Sequence, residues 1–100
     1  MLTKQTIIQK IEQNKEKIRS FGVVSLALFG SYARDEQVTA SDIDFLVEFD
    51  KNRGLAKDYF GLMHFLEDLF RTDIDLVKPH LVRKELKEDI LKGVRYEAKV

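Results

Sequence analysis

The run Val23-Val24-Ser25-Leu26-Ala27-Leu28-Phe29 is apolar at odd and even positions alike and stops at Gly30. A run this short and this apolar reads as a strand covered on both faces or nearly so. Such a strand needs neighbours and a layer of helices, and the chain supplies both. From about Thr3 to Ser20, Ile7, Ile8, Ile11 and Ile18 recur at helical spacing, with Thr3 as N-cap and Gly22 as the stop. Ser31 to Asp35 is long enough for one helical turn, and residues 36–41 lack periodicity and read as a loop. A second strand is expected over Asp42–Phe49, and Asp50-Lys51-Asn52-Arg53-Gly54 reads as a turn. From Lys57 to Phe70, the residues Phe60, Met63, Leu66, Leu69 and Phe70 trace a helical stripe, with Phe60, Met63 and Leu66 as core. Asp73–Val77 is a third strand stopped by Pro79, and a last helix from Val82 to Gly93 is expected to bury Leu86, Ile90 and Val94. The order implies three strands with helices packed against them.

The strands carry unusual charges. In Ser41-Asp42-Ile43-Asp44, ten residues past Ser31, strand geometry sends Asp42 and Asp44 to one face and Ile43 to the other. Two carboxylates side by side repel unless a cation lies between them, and hard oxygens suit Mg²⁺ or Mn²⁺. Thr72-Asp73-Ile74-Asp75-Leu76-Val77 echoes the motif, so a neighbouring third strand could bring a third carboxylate, from Asp75 or Asp73. Three such groups can hold two ions roughly 3.5 to 4 Å apart, the arrangement used for in-line chemistry at phosphorus. Gly30 permits close backbone approach to a ligand, and Ser31 adds a hydroxyl and an N–H.

With 100 residues the chain is read as one domain, residues 1–100. Its 44% hydrophobic and 34% charged residues describe a globular protein, and the absence of cysteine excludes disulfides, zinc–thiolate sites and thiol catalysis. No apolar run reaches the roughly 18 residues of a membrane span, and the first residues do not resemble a signal peptide, so a cytoplasmic address is expected. The net charge is zero, yet residues 35–75 carry four Lys/Arg against eleven Asp/Glu, and the flanking segments are basic. An acidic centre suits metal uptake, and a balanced total argues against a duplex-binding protein. His64 and His80 lack metal-ligand spacing and read as structural or surface residues. The turn at Asp50 is no calcium loop, because Gly61 stands where position 12 needs a bidentate glutamate. Residues 83–88 read as a solvated helix face, with Lys78, Arg83 and Lys84 as secondary candidates for phosphate contact.

Gly30-Ser31-Tyr32-Ala33-Arg34, then Ser41-Asp42-Ile43-Asp44-Phe45-Leu46-Val47-Glu48-Phe49, then Ile74-Asp75-Leu76-Val77, resembles the signature of the DNA polymerase β-like nucleotidyltransferases. More narrowly it is similar to the minimal nucleotidyltransferases, small proteins often encoded beside a HEPN-domain protein. The resemblance covers about residues 20 to 95 and implies an α+β fold with a small three-stranded mixed sheet backed by helices. It implies that Gly30 and Ser31 hold a triphosphate, with Arg34 near it. Asp42 and Asp44 would bind two Mg²⁺ ions, and Asp75 would complete one metal site and help deprotonate the acceptor hydroxyl. Asp35 departs from the family pattern, where glycine is common. The implied activity is transfer of AMP from ATP to a hydroxyl, a tyrosine of a HEPN toxin, which would make this chain an antitoxin. Neutralisation by docking alone is the alternative, and RNA nucleotide addition a weaker one, since no basic module is available to grip an RNA. Drug modification would need an extra helical domain. The Tyr59–Phe60 region and the first helix are the candidate docking faces.

Overall fold

The computed structural model describes residues 2–78 and the backbone of 96–99. The elements run α1 (Lys4–Gln13), α2 (Lys15–Arg19), β1 (Val23–Phe29), α3 (Gly30–Ala33), β2 (Ile43–Phe49), α4 (Ala56–Phe70), β3 (Ile74–Val77) and β4 (Tyr96–Lys99). The expected helix over Val82–Gly93, with Leu86, Ile90 and Val94, lies outside the described residues, as do Pro79, His80, Arg83 and Lys84.

Thr3 caps α1 as its sequence position suggests, its hydroxyl accepting from the Thr6 N–H at 3.2 Å. The single helix expected up to Ser20 is instead broken at Asn14, whose side-chain amide donates to the Lys10 carbonyl at 2.8 Å. An asparagine that satisfies a carbonyl of the preceding turn ends α1 and starts α2 without disturbing the buried stripe, because Ile7, Ile11 and Ile18 all remain in the core.

The sheet order is β3-β2-β1-β4, with β1 antiparallel to both neighbours and β2 parallel to β3. The three strands read from the sequence form the expected mixed sheet, and β4 extends it as a fourth, paired with Ser25–Leu28 of β1. Along β2 burial alternates: Ile43, Phe45 and Val47 are buried, whereas Asp44, Leu46 and Glu48 are more open. Leu28 pairs with Phe45 and Leu26 with Val47, so these side chains share the core face with Ile74 and Leu76. Leu62, Leu66 and Phe70 of α4 pack on that face, together with Ile7, Ile11 and Ile18. β1 is less covered than its composition suggests, since Val24 is 37% exposed.

Phe60 is not a core residue: it is 53% exposed, and Leu62 takes the buried position of that turn. Leu62, Leu66 and Phe70 form an i, i+4, i+8 stripe, and Phe60 lies about 200° around the helix from Leu62. The apolar face of the first helix is likewise spent on the core, through Ile7 and Ile11, and is unavailable for docking.

Asp35 adopts φ +56 just after α3, in the left-handed region where a Cβ is penalised. Its exposed carboxylate lies 3.8 Å from the Lys4 ammonium, a contact worth little at the surface. Asp35→Gly is therefore expected to stabilise the protein by about 0.5–1 kcal/mol, read as a higher urea midpoint. An unchanged or lower midpoint would show that the Lys4 contact outweighs the backbone penalty.

Candidate active site

β1 ends at Phe29, β2 begins one residue beyond Asp42, and β3 begins one residue beyond Asp73. Register then decides which carboxylates meet. Phe29 pairs with Asp44, and Asp44 with Asp75, so the three form a row across β1, β2 and β3. That row lies on the face opposite Ile43, Phe45 and Ile74, because side chains alternate along each strand.

The Asp44 carboxyl is half-buried and pushed up from 3.8 to about 6. Desolvation is the largest cause, followed by the charge of Asp75, the charge of Asp42 and the contact with the Asp75 carboxyl; Arg34 acts in the opposite direction. Asp42, Asp44, Asp75 and Arg34 are thus electrostatically one cluster. Of the two aspartates in the third segment, Asp75 is the one placed beside Asp44. The Asp73 carbonyl accepts from the Ile43 N–H at 3.0 Å, and Asp73 lines a concavity of about 450 Å³ with Ser41, Glu67, Arg71 and Asp42, the last of which it shares with the cluster.

Gly30 has φ +74, and its Cα faces the Asp44 side chain. A Cβ there would run into the carboxylate, 3.0 Å from its Cγ and closer still to one oxygen. Gly30 therefore allows the β1–α3 turn to press against Asp44, with Ser31 next in the chain. Arg34 is turned to Glu36, with Nε donating to Oε2 at 3.0 Å. Nothing in the sequence flagged Glu36 beyond its opposite charge two residues away. Lys78 does not point toward this cluster either; its ammonium donates to the Gly54 carbonyl at 2.6 Å. His64 is an exposed residue beside Glu67 on α4.

Among the described residues no group of three or more acidic or histidine side chains is placed so that it could hold a metal ion by itself. Asp44 and Asp75 are adjacent in register, and the charge of Asp42 also reaches Asp44, so the hard oxygens here would need a ligand's own oxygens to complete a metal site. That fits Mg²⁺, which binds through one or two carboxylates plus substrate phosphates rather than in all-protein cages.

The raised Asp44 and a second carboxyl predict an unusual stability profile for the metal-free protein. Asp58 is lowered to about 2 because it accepts from Arg53, Nε at 2.8 Å, and from the Gly54 N–H at 3.0 Å. As pH falls from about 6 to about 4 the folded state takes up a proton on Asp44 that the unfolded chain does not. Stability rises, by about 1 kcal/mol once solvent screening of a half-buried group is allowed for. Below about 4 the unfolded chain protonates Asp58 first, and stability falls toward pH 2. Urea midpoints should thus peak near pH 4; a flat profile between pH 4 and 7 would contradict the strained placement of Asp44.

Residues 7–98 match the family model described as the nucleotidyltransferase domain. The protein adenylyltransferase MntA of Thermococcus cleftensis is 34% identical over 97 residues, 96% of this chain and 97% of its own length. A structure assigned as a minimal nucleotidyltransferase superposes with a TM-score of 0.79 at 30% identity, covering 93% of this chain and 94% of that one. The complex of a tri-AMPylated Shewanella oneidensis HEPN toxin with MNT antitoxin contains a chain of the same fold, with a TM-score of 0.55 at 21% identity over 91% of this chain and 65% of that one. Among the described residues no helix is long and apolar enough to cross a membrane. The row of carboxylates, the glycine pressed against it and the match over residues 7–98 make this chain a member of the nucleotidyltransferase domain family, in its minimal form.

Proposed function

We propose that this nucleotidyltransferase moves AMP from ATP to a hydroxyl of a partner protein, a tyrosine of a HEPN-domain toxin, and so acts as an antitoxin. The observation that carries the reading is the register of Asp44 with Asp75, with Gly30 against the Asp44 carboxylate. The adenylyltransferase relative and the AMPylated-toxin complex supply the reaction and partner class.

In this reading Gly30 and Ser31 receive the triphosphate and Arg34 leaves Glu36 to meet it. Asp42, Asp44 and Asp75 would hold Mg²⁺, which when bound would supply neutralisation of the phosphate charge. Asp75 takes the proton of the acceptor hydroxyl. The hydroxyl oxygen bonds to the α-phosphorus as the bond to the β-phosphate bridge breaks, and pyrophosphate departs. Asp44 enters the reaction ionised, which its pKa of about 6 allows at neutral pH.

Nucleotide binding has a test that needs no partner. Mg²⁺ with ATP, at about 100 times the dissociation constant, should add about 2.7 kcal/mol of stability by mass action. For a domain of this size that raises Tm by roughly 10 °C or more. No rise at millimolar concentrations of both would count against this function.

A further inference from the structure

β3 has only four residues and, among the described residues, pairs with β2 alone, yet it must hold Asp75 beside Asp44. A parallel edge strand this short is weakly fixed by its own ladder. A side chain from α4 reaches its backbone, and the residue that follows the strand is anchored to the turn after β2. The Tyr59 hydroxyl donates to the Leu76 carbonyl at 2.6 Å, one residue beyond Asp75. The Lys78 ammonium donates to the Gly54 carbonyl at 2.6 Å and lies over two rings, 5.5 Å from the centre of Phe49 and 5.3 Å from that of Tyr59. Gly54, at φ +86, leaves the space that the Phe49 ring fills, since a Cβ would fall 2.5 Å from its Cγ. The end of β2, the turn after it, the first turns of α4 and the end of β3 are thereby tied at one point. Burial and the charge of Asp75 both raise the Tyr59 phenol, so the clamp and the carboxylate are near neighbours.

We propose that Tyr59 and Lys78 clamp β3 so that Asp75 stands at the distance from Asp44 that transfer requires, making both positioning residues. Neither touches the reacting atoms, and neither is part of the nucleotide cradle. The catalytic half of this inference rests on the transferase reading above; the mechanical half does not. Misplacing a catalytic group by about 1 Å can cost on the order of 100-fold in rate, so partial release of the strand should cost about tenfold.

The test compares Tyr59→Phe, which keeps the ring and removes the donor, with Lys78→Met, which keeps most of the stem, and with Ile18→Val as a remote, mildly destabilising control. Amide exchange and AMP transfer are measured on each full-length protein. In Tyr59→Phe the amides of residues 74–77 should exchange about fivefold faster, from one lost hydrogen bond, with those of β1 unchanged. Its kcat should fall about tenfold with KM for ATP within twofold of wild type, Lys78→Met should move the same way, and Ile18→Val should keep wild-type kcat. Unchanged exchange over 74–77 in both clamp variants would overturn the proposal, as would a kcat loss shared equally by Ile18→Val. If the wild-type chain transfers no AMP, the functional reading fails, and the exchange rates still decide whether the clamp holds the strand.

Discussion

Asp44→Asn should abolish transfer and stabilise the metal-free fold at the same time. The substitution keeps the shape of the side chain and its place in the row with Phe29 and Asp75, but removes the charge. In the proposed reaction Mg²⁺ would lose its most central carboxylate, and with it several kcal/mol of charge stabilisation at phosphorus, so the transfer rate should drop on the order of 10³-fold or more. Stability moves the other way. Above pH 6 Asp44 is ionised in a half-buried position between Asp42 and Asp75, a state the fold disfavours relative to the unfolded chain. Asparagine relieves that, and the apo protein should gain about 1 kcal/mol at pH 7.5, after discounting for solvent screening. Opposed signs are the mark of a functional cluster retained at the expense of stability. Transfer kinetics and urea unfolding of one variant check both halves; loss of activity together with loss of stability would point instead to a structural role for Asp44.

Gly30→Ala should be nearly as damaging to activity and, unlike Asp44→Asn, should destabilise. The added methyl group meets the Asp44 carboxylate, and φ +74 is strained for any residue with a Cβ. Relief requires moving the carboxylate or opening the β1–α3 turn, and either separates Ser31 from the carboxylate row. A fall of about 100-fold in transfer is expected, with a stability loss of about 1–3 kcal/mol. Pairing the variant with Asp44→Asn should not restore stability, because the amide occupies the same space. Pairing it with Asp44→Ala should recover much of it, which distinguishes the steric clash from a general intolerance of the turn. Wild-type stability of Gly30→Ala would contradict the close approach.

The sequence was legible where local pattern and tertiary demand agree. β1, β2, α4 and β3 fall within a residue or two of their expected bounds because an apolar run, an alternating run and a 3.6-residue stripe each have one packing solution. The Asp-x-Asp motif named its own face through strand alternation, and its echo at Asp73–Asp75 could be resolved only by register, which is set by pairing across α4. Phe60 misled because several apolar residues of α4 compete for one stripe, and the winning set is decided by what the sheet presents. The break at Asn14 was hidden because the isoleucine spacing runs through it undisturbed. Tyr59 and Lys78 carried no motif at all; their contacts to Leu76 and Gly54 are backbone contacts at a distance of 17 and 24 residues. Glu36, which pairs with Arg34 at the edge of the cluster, was similarly invisible.

The most direct test is the intact mass of the proposed HEPN-domain partner after incubation with this chain, Mg²⁺ and ATP. The account predicts a gain of one or more AMP residues on a tyrosine with wild type and none with Asp44→Asn. A stable complex whose partner keeps its unmodified mass would contradict it, and would mean that this chain acts on its partner by docking while the carboxylate row serves another purpose.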